Sequence, residues 1–504
     1  MTLQEDTSLQ SMMASERELN DQLERVSLVE TNSSNSKVHA EPGSAEKTSK
    51  KPKANGRPSA EEIEKIRAQR KAKKEAAGKQ GGEDVGFIKR PLLVCNGDEA
   101  KGFVFRMMTY NCLAQALIRR KLFPTSGNAL KWFKRSKVLL SELQYYNPDV
   151  ICLQEIDHTQ YKSFWMDALQ HAGYCSKFHR SFGKNHGIAI VWRRSLFNKV
   201  DETLIDFDEE QSGEIERRTT TKNVGLIVAL EYTDEIKRRY PGSAQSGIVV
   251  GTSHLFWHPF GTYERARQCY IILSRMKVFL KRLRLLERGS CGAASQWHPF
   301  FCGDFNSQPF DAPYLSMCSK PIIYEGRART VIECSTSYKF SSLRDGCAAD
   351  EEEGGNIEKF GAGQPETPVP DSFDGTPEQR ALVDAMQSLH NALDMRAISL
   401  YSLAYRYVHP ENAGIDNNRG EPEISNWAHA WRGLLDYIMY VMPWDFSDNT
   451  EVDDIGEFQK NTSVIVRSLL RVPPASEMPS HGQPHEGEYP SDHLSLMCEL
   501  ELLM

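Results

Sequence analysis

The sequence lacks any long hydrophobic run. None of its apolar stretches approaches the ~20 consecutive residues that span a bilayer, and the N-terminal MTLQEDTSLQSMM has neither the basic nor the apolar region of a secretory signal. We therefore expect a soluble protein of the nucleus, the cytoplasm or both, neither secreted nor inserted in a membrane. We expect it to act as a monomer.

Paired cysteines are also missing. The chain of 504 residues has 11 cysteines, an odd number, and none stands in a Cys-x-x-Cys pair. Cys112, Cys152 and Cys302 lie within or beside apolar runs, where a thiol behaves as a small hydrophobic group. This usage suits a reducing compartment and argues against a disulfide framework or a cysteine-based zinc site.

The sequence has no internal repeat of solenoid length, and its charge is uneven. The net charge is -7, yet the range 47–79 carries twelve Lys or Arg residues against four Glu, a local charge of +8. We interpret residues 1–90 as a disordered tail. Its basic segment is either a solvated arm or one that contacts polyphosphate or directs nuclear import.

A second compositional break falls at about 345–380. Residues 345–378 contain ten acidic residues against one Lys, among many Gly and Pro. This composition predicts a disordered insertion within a folded domain that spans 91–504.

Short apolar runs alternate with helical patterns through that domain. The runs that predict strands are FVFRMMTYN, DVICLQE, GIAIVW, NVGLIVALEY, GIVVGTSHL, PFFCGDFN, LLDYIMYV and LSLMCEL. Several are too continuously apolar to have a face in water. Leu139, Leu143 and Tyr146 mark one face of a helix, and a long basic helix is predicted at about 264–288. Buried sheets with helices outside them indicate a layered α/β domain.

Six of these runs carry metal-capable or phosphate-capable side chains at one end. Four runs end in such residues and two begin with them, and the residues are Asn111, Glu155, His254, Asp304 with Asn306, Asp436, and Asp492 with His493. Because antiparallel neighbours place strand starts beside strand ends, all of them can share one edge. Each has an ordinary explanation as a turn, a cap or a core histidine, but their coincidence favours a functional site.

This donor set favours metal-assisted attack on a phosphate ester. Oxygen donors from Asn111, Glu155, Asp304 and Asn306 match Mg²⁺, with Mn²⁺ as an alternative, and the thiolates that zinc prefers are absent from these positions. Mg²⁺ would neutralise the phosphate, while a histidine oriented by an aspartate would handle charge or a proton.

These motifs resemble the endonuclease/exonuclease/phosphatase superfamily, which has the DNase-I-like fold. The resemblance is carried in order by MTYNCLAQ, LFP followed by LKWFKRSKVLLSEL, NPDVICLQEID, GIAIVW, GTSHLFWHP, FFCGDFNSQP, LLDYIMY and YPSDHLSL, from about Phe103 to the C-terminus. It points to the deadenylase branch, which includes nocturnin and the fungal RNA exonucleases of ribosomal RNA 3′ ends. The resemblance implies a four-layer α/β sandwich of two packed mixed β-sheets flanked by helices.

The resemblance also implies which residues hold metal, water and phosphate. Glu155 would be the principal Mg²⁺ ligand, with Asn111 and Asp492 supporting the metal site. Asp304 would orient the attacking water, and Asn306 would contact the scissile phosphate.

The remaining implied roles concern proton transfer and substrate binding. His254 would contact phosphate, and His493 would be the catalytic histidine, oriented by Asp436. Trp431 stands where relatives carry an aromatic residue that can stack on a nucleobase, as suits single-stranded RNA, although a tryptophan packed in the core is the alternative.

The activity implied is that of a Mg²⁺-dependent 3′-5′ exoribonuclease on single-stranded RNA 3′ ends, in 5.8S-type ribosomal RNA maturation or in poly(A) trimming. A nocturnin-like nucleotide phosphatase and a catalytically silent RNA-binding scaffold are alternatives. The basic tail favours a polymer, since only a long polyanion would reach it. Retention of Glu155, Asp304, Asn306, Asp436 and His493 argues against a silent scaffold.

Overall fold

The computed structural model describes residues 86–504 apart from 242, 289–295, 341–364, 415–418, 429–430 and 480. The predicted basic segment 47–79 and most of the predicted acidic insertion lie outside the described residues. The described residues form one compact unit. The fold includes Arg90, which was assigned to the tail, because its buried guanidinium donates to the carbonyl oxygen of Ser495 over 2.8 Å.

The first sheet is built mainly from strands near the two ends of the folded unit. Its strands are β1 Leu92–Val94, β2 Phe103–Asn111, β3 Val150–Asp157, β4 Tyr174–His179, β5 His186–Arg193, β14 Val464–Leu470 and β15 Leu496–Leu502. They are hydrogen-bonded in the order β1-β14-β15-β2-β3-β5-β4. Strands β2 and β3 run parallel and the other neighbours antiparallel, so this sheet is mixed.

The second sheet comes from the middle of the chain. Its strands are β6 Phe197–Asp206, β7 Val224–Tyr232, β8 Gln245–His254, β9 Gln296–Asp304, β10 Met395–Ser399 and β13 Asp436–Pro443. They lie in the order β10-β13-β9-β8-β7-β6, with β8 and β9 parallel. A separate pair, β11 Asn426–Ala428 and β12 Trp431–Gly433, is antiparallel.

Helices connect the strands of both sheets. Their bounds are α1 Trp132–Tyr146, α2 His158–Gln160, α3 Met166–His171, α4 Asp234–Arg239, α5 Thr262–Arg288, α6 Ala312–Cys318, α7 Gly326–Ser337, α8 Pro377–Asn391, α9 Leu400–Val408 and α10 Ile455–Thr462. Helix α8 begins inside the predicted insertion because Thr376 and Gln379 form a capping box. No helix in the described part of the chain is both long and apolar enough to cross a membrane.

Side chains along β2 alternate between two separate cores. Phe105 and Met107 pack in the core between the two sheets, whereas Met108 and Tyr110 pack with Leu139 of helix α1. The second sheet alternates in the same way between the inter-sheet core and helix α5. The central strands of each sheet are therefore buried on both faces, which explains the continuously apolar runs, and the layers confirm the predicted four-layer α/β sandwich.

The described cysteines and the helix preceding β3 also match the sequence analysis. Nine cysteines fall within the described residues, and each is a free thiol. Helix α1 buries the predicted face, since Leu139, Leu143 and Tyr146 are at most 4% exposed.

Candidate active site

The predicted strand-end residues lie at one end of the two stacked sheets. The first sheet supplies Asn111, Glu155, Asp492 and His493, and the second supplies His254, Asp304, Asn306 and Asp436. The prediction of a single shared edge was too simple, because the residues face one another across the gap between two sheets. Six of these eight residues line one cleft, and the other two, Asn111 and Asp436, are hydrogen-bonded to residues that line it.

Glu155 lies in a β-bulge rather than at the end of its strand. Strand β3 continues to Asp157, and its register with β5 shifts across Glu155. Glu155 has a φ of 55°, a left-handed conformation that costs a non-glycine residue about 1–3 kcal/mol and is characteristic of functional sites. Its carboxylate accepts hydrogen bonds from Asn111 Nδ2 at 3.0 Å and from the backbone N–H of Ala114 at 2.9 Å.

Asn111 joins carboxylates from the two sheets. Its fully buried Nδ2 donates to Glu155 Oε1 and also to Asp304 Oδ2, at 2.9 Å. Its Oδ1 accepts from the backbone N–H of Leu113 at 3.0 Å. The amide is therefore fully engaged in holding the two carboxylates at a fixed separation.

The glycine before Asp304 is required by the close approach of β8 and β9. A Cβ on Gly303 would lie 2.2 Å from the carbonyl oxygen of Ser253. The close pairing sets Asp304 beside His254, whose Nε2 lies 3.6 Å from Asp304 Oδ2. Asn306 then turns the chain with a φ of 48° and donates its backbone N–H to Asp304 Oδ1 at 2.8 Å. The GDFN motif is thus both a turn and a part of the site.

Asp436 and His493 form a buried hydrogen-bonded pair. The distance from His493 Nδ1 to Asp436 Oδ2 is 2.7 Å, and the same carboxylate oxygen accepts from Ser425 Oγ at 2.7 Å. The other imidazole nitrogen, Nε2, lies 3.6 Å from Asp304 Oδ2. Burial alone would lower the pKa of His493, but the charges of Asp436 and Asp304 outweigh burial and hold that pKa well above its usual value. This environment therefore favours the charged form of His493.

The two carboxylates on the first sheet are electrostatically suited to a divalent cation. Burial alone would raise the pKa of Glu155, but His254, His186 and the Asn111 hydrogen bond outweigh it and lower that pKa. Burial raises the pKa of Asp492 to about 6, with the charge of Glu155 adding to the increase. A hard cation between two such oxygen donors would relieve their repulsion, so the donor set fits Mg²⁺.

A second group of possible ligands lies deeper. One ligand atom each from Asp304, Asp436 and His493 lie within 4.8 Å of one another. A protonated imidazole has no free lone pair for a metal, and the Asp436 hydrogen bond favours that protonated form. We therefore interpret this group as a proton-handling set and Glu155 with Asp492 as the metal-binding set.

The cleft has a volume of about 400 Å³ and a largely apolar wall. Its apolar lining residues are Leu113, Leu117, Leu122, Phe123, Trp257, Ala428, Trp431 and Leu435. Trp431 is 56% exposed at this wall, which rules out the alternative of a core tryptophan. The cleft combines a charged floor with a wall on which a planar base could lie.

Sequence reasoning missed residues that brace the site. Arg135 on α1 is buried and donates to the carbonyl oxygens of Cys112, Leu113 and Pro490, with the last distance 2.8 Å. It thereby ties the loop after β2 to the loop that leads into β15. Nothing marks it in the sequence, because arginine in an amphipathic helix usually faces solvent. Ser425, which supports Asp436, was equally unmarked.

Residues 108–493 match the model of the Endonuclease/Exonuclease/phosphatase family. The chain belongs to this family. The resemblance carried by these motifs is thereby confirmed.

Members of the family with similar sequences include two proteins of Saccharomyces cerevisiae. The RNA exonuclease NGL2 is 59% identical over 456 residues, which cover 88% of each chain. The probable RNA exonuclease NGL3 is 40% identical over 471 residues, covering 88% of this chain and 90% of that one. The crystal structure of ANGEL2, a 2′,3′-cyclic phosphatase, matches with a TM-score of 0.51 and 20% identity over 83% of this chain and 100% of that one, which establishes a shared fold.

Proposed function

We propose that the protein is a Mg²⁺-dependent 3′-5′ exoribonuclease that hydrolyses phosphodiester bonds at the 3′ ends of single-stranded RNA, with Mn²⁺ as an alternative ion. The observation that carries the proposal is the convergence of the Asn111–Glu155–Asp304 network and the Asp436–His493 pair on one cleft. RNA as the substrate is supported by the 59% identity to NGL2, and the 3′-5′ direction by the resemblance to deadenylases.

The residues of the second sheet, together with His493 of the first, would handle water and phosphate. Hydrolysis requires a water aligned opposite the leaving ribose oxygen, and Asp304 would accept a hydrogen bond from that water and orient it. His254 and Asn306, which flank Asp304, would contact the non-bridging oxygens. The charged His493 would stabilise the negative charge that develops on the phosphoryl group, with Asp436 fixing its orientation.

The residues of the first sheet would hold the metal. Mg²⁺ held by Glu155 and Asp492, as in other sites with one or two carboxylates, would neutralise the phosphate and stabilise the leaving oxygen. Asn111 would hold the carboxylates of Glu155 and Asp304 at a fixed separation, since its amide donates hydrogen bonds to both.

The proposed physiological substrates are 3′ ends of ribosomal RNA precursors of the 5.8S type, or poly(A) ends. The resemblance to fungal ribosomal RNA exonucleases and the identity to NGL2 support this assignment. We propose that the protein works as a monomer in the nucleus, the cytoplasm or both.

A time course on 5′-labelled RNA tests the activity. We expect an oligoadenylate and a mixed-sequence strand to shorten progressively from the 3′ end with Mg²⁺ and to remain intact with EDTA. The variant His493→Ala should leave both intact while keeping its melting temperature. A 3′-labelled RNA that loses its label at once supports the direction. Intact RNA in every lane, with phosphate released from a small nucleotide, would instead establish a nucleotide phosphatase, and no turnover at all would favour a silent scaffold.

Removal of residues 1–80 provides a separate prediction. We expect weaker RNA binding and a flatter dependence of log affinity on log salt concentration, by about 0.7 for each lost phosphate contact on a single strand. The rate of the cleavage step at saturating RNA should not change. A full-length variant with Lys50, Lys51 and Lys53 replaced by Gln is the matched control and should lose part of the slope. An unchanged slope after truncation would mean that the tail does not contact RNA.

A further inference from the structure

Two loops near the mouth of the cleft are tied to the same residue, Asp157, one through its carboxylate and the other through its strand. Asp157 accepts hydrogen bonds from the backbone N–H groups of Gln115, at 2.6 Å, and Ala116, at 3.0 Å, which begin the loop after β2. In the strand pairing of β3 with β5, Asp157 also lies opposite His186, which is the first residue of β5 after the tip of the β4–β5 hairpin. Leu117, Lys121 and His186 line the cleft, so the first loop forms part of its wall and the hairpin tip ends at its edge, on the side of the first sheet.

Both loops are basic. The first has the sequence QALIRRKLF from Gln115 to Phe123, and the hairpin tip has RSFGKN from Arg180 to Asn185. Neither stretch contains an acidic residue. Lys121 of the first loop lines the cleft. The basic loops are therefore continuous with the site where a phosphate would be hydrolysed.

The hairpin tip holds an aromatic ring out in water. Phe182 is 88% exposed, the largest value among the exposed large hydrophobic side chains of the described residues. The tip is closed by a hydrogen bond from Lys184 N–H to the Ser181 carbonyl oxygen at 3.2 Å and by one from Arg180 Nη1 to the Lys184 carbonyl oxygen at 2.7 Å. The exposure of Phe182 is therefore set by a fixed turn and not by a loose loop.

Isolated exposed apolar residues are ordinary, so the surroundings of Phe182 carry the argument. It stands between Arg180 and Lys184, at the rim of a cleft built for a phosphodiester. Proteins that hold single-stranded nucleic acid combine a positive groove for the backbone with aromatic side chains on which bases stack. Phe182 is four residues from His186, so the chain between them spans at most about 14 Å, which a short single strand can cover.

We propose that the rim formed by residues 119–121 and the tip 180–185 is a binding surface for single-stranded RNA upstream of the scissile phosphate, with Phe182 stacking on one base. The basic side chains contact the backbone phosphates. This inference rests on the proposed function and extends it, because it assigns to the cleft a substrate several nucleotides long.

The variant Phe182→Ala tests the surface in the full-length chain. We expect KM for a single-stranded RNA of about 12 nucleotides to rise about 10-fold, with kcat unchanged, and turnover of a dinucleotide to stay within about 2-fold of wild type. Phe182→Trp should restore the wild-type KM. The matched control is Phe446→Ala, since Phe446 is 57% exposed after the far end of β13 and should have no effect.

Binding measured without turnover separates this inference from the proposed function. In the His493→Ala background, a fluorescent purine analogue at successive positions of the RNA should be quenched at one internal position, and Phe182→Ala should abolish that quenching. Cleavage of long RNA by Phe182→Ala with a wild-type KM would overturn the inference and leave the exoribonuclease standing. Quenching that depends on Phe182 in a protein that cuts no RNA would overturn the proposed function and keep the binding surface.

Discussion

Replacing Glu155 by Gln is expected to lower kcat for Mg²⁺-dependent RNA hydrolysis about 1,000-fold or more, because a bound metal supplies several kcal/mol of charge stabilisation in the transition state. The substitution keeps the size of the side chain and an acceptor oxygen for the Asn111 amide, while it removes the negative charge and the acceptor for the backbone N–H of Ala114. We therefore expect the variant to lose the bound metal and to keep its fold.

Two measurements distinguish loss of the metal from loss of the fold. The Mg²⁺ concentration for half-maximal rate should rise in Glu155→Gln if residual activity allows it to be determined, and the melting temperature should stay within a few degrees of wild type. Glu499→Gln on β15 is the control, because Glu499 pairs with Arg106 at 2.8 Å outside the cleft and its loss should leave kcat unchanged. A Glu155→Gln variant with wild-type turnover would contradict the assignment of Glu155 as the metal ligand.

Much of this arrangement could be predicted because the sheets are buried on both faces. A strand with two buried faces needs an unbroken apolar run, and such a run makes a polar residue at its end conspicuous. Asp304, Asp436 and His254 were found in this way. The edge strand β6 was not predicted, because much of it is exposed and its sequence FNKVDETLID contains no apolar run.

The division of the site between two sheets could not be predicted from the runs. Periodicity reports that a strand is buried but not which sheet it joins, so Asn111 and Asp304 carry no sign that they meet across a gap. The bulge at Glu155 was equally hidden, because the cost of its left-handed backbone is offset by contacts with residues distant in the sequence. Arg135 and Ser425 act through tertiary contacts alone and have no local signal.

The second prediction concerns the buried pair. Asp436→Asn is expected to lower kcat by about 10⁴-fold, the size of effect seen when a carboxylate that orients a catalytic histidine becomes an amide. The amide oxygen can still accept hydrogen bonds from Ser425 and His493, so the arrangement of the two side chains is retained while the negative charge at position 436 is lost. Ser425→Ala, which removes a neutral supporting hydrogen bond, should cost about 10-fold.

The pH profile distinguishes an electrostatic role of Asp436 from a structural one. Attraction to Asp436 and Asp304 overcomes burial to raise the pKa of His493, so wild-type His493 stays charged, and the rate is sustained, to higher pH than an ordinary histidine allows. Without the Asp436 charge the pKa of His493 falls, and activity should be lost at a lower pH. Ser425→Ala leaves both charges in place, so its profile should move little.

The kcat/KM of the wild type, Asp436→Asn and Ser425→Ala, measured from pH 5 to 10, decides between the two roles. A profile for Asp436→Asn that falls off at the wild-type pH would mean that Asp436 only positions the ring, and that His493 acts as a neutral group. A fall-off displaced to lower pH, with Ser425→Ala close to wild type, would identify His493 as a cation that acts on the phosphoryl group. The latter is the result that the 2.7 Å contact between Asp436 and His493 predicts, because a buried carboxylate stabilises the imidazolium more than the neutral ring.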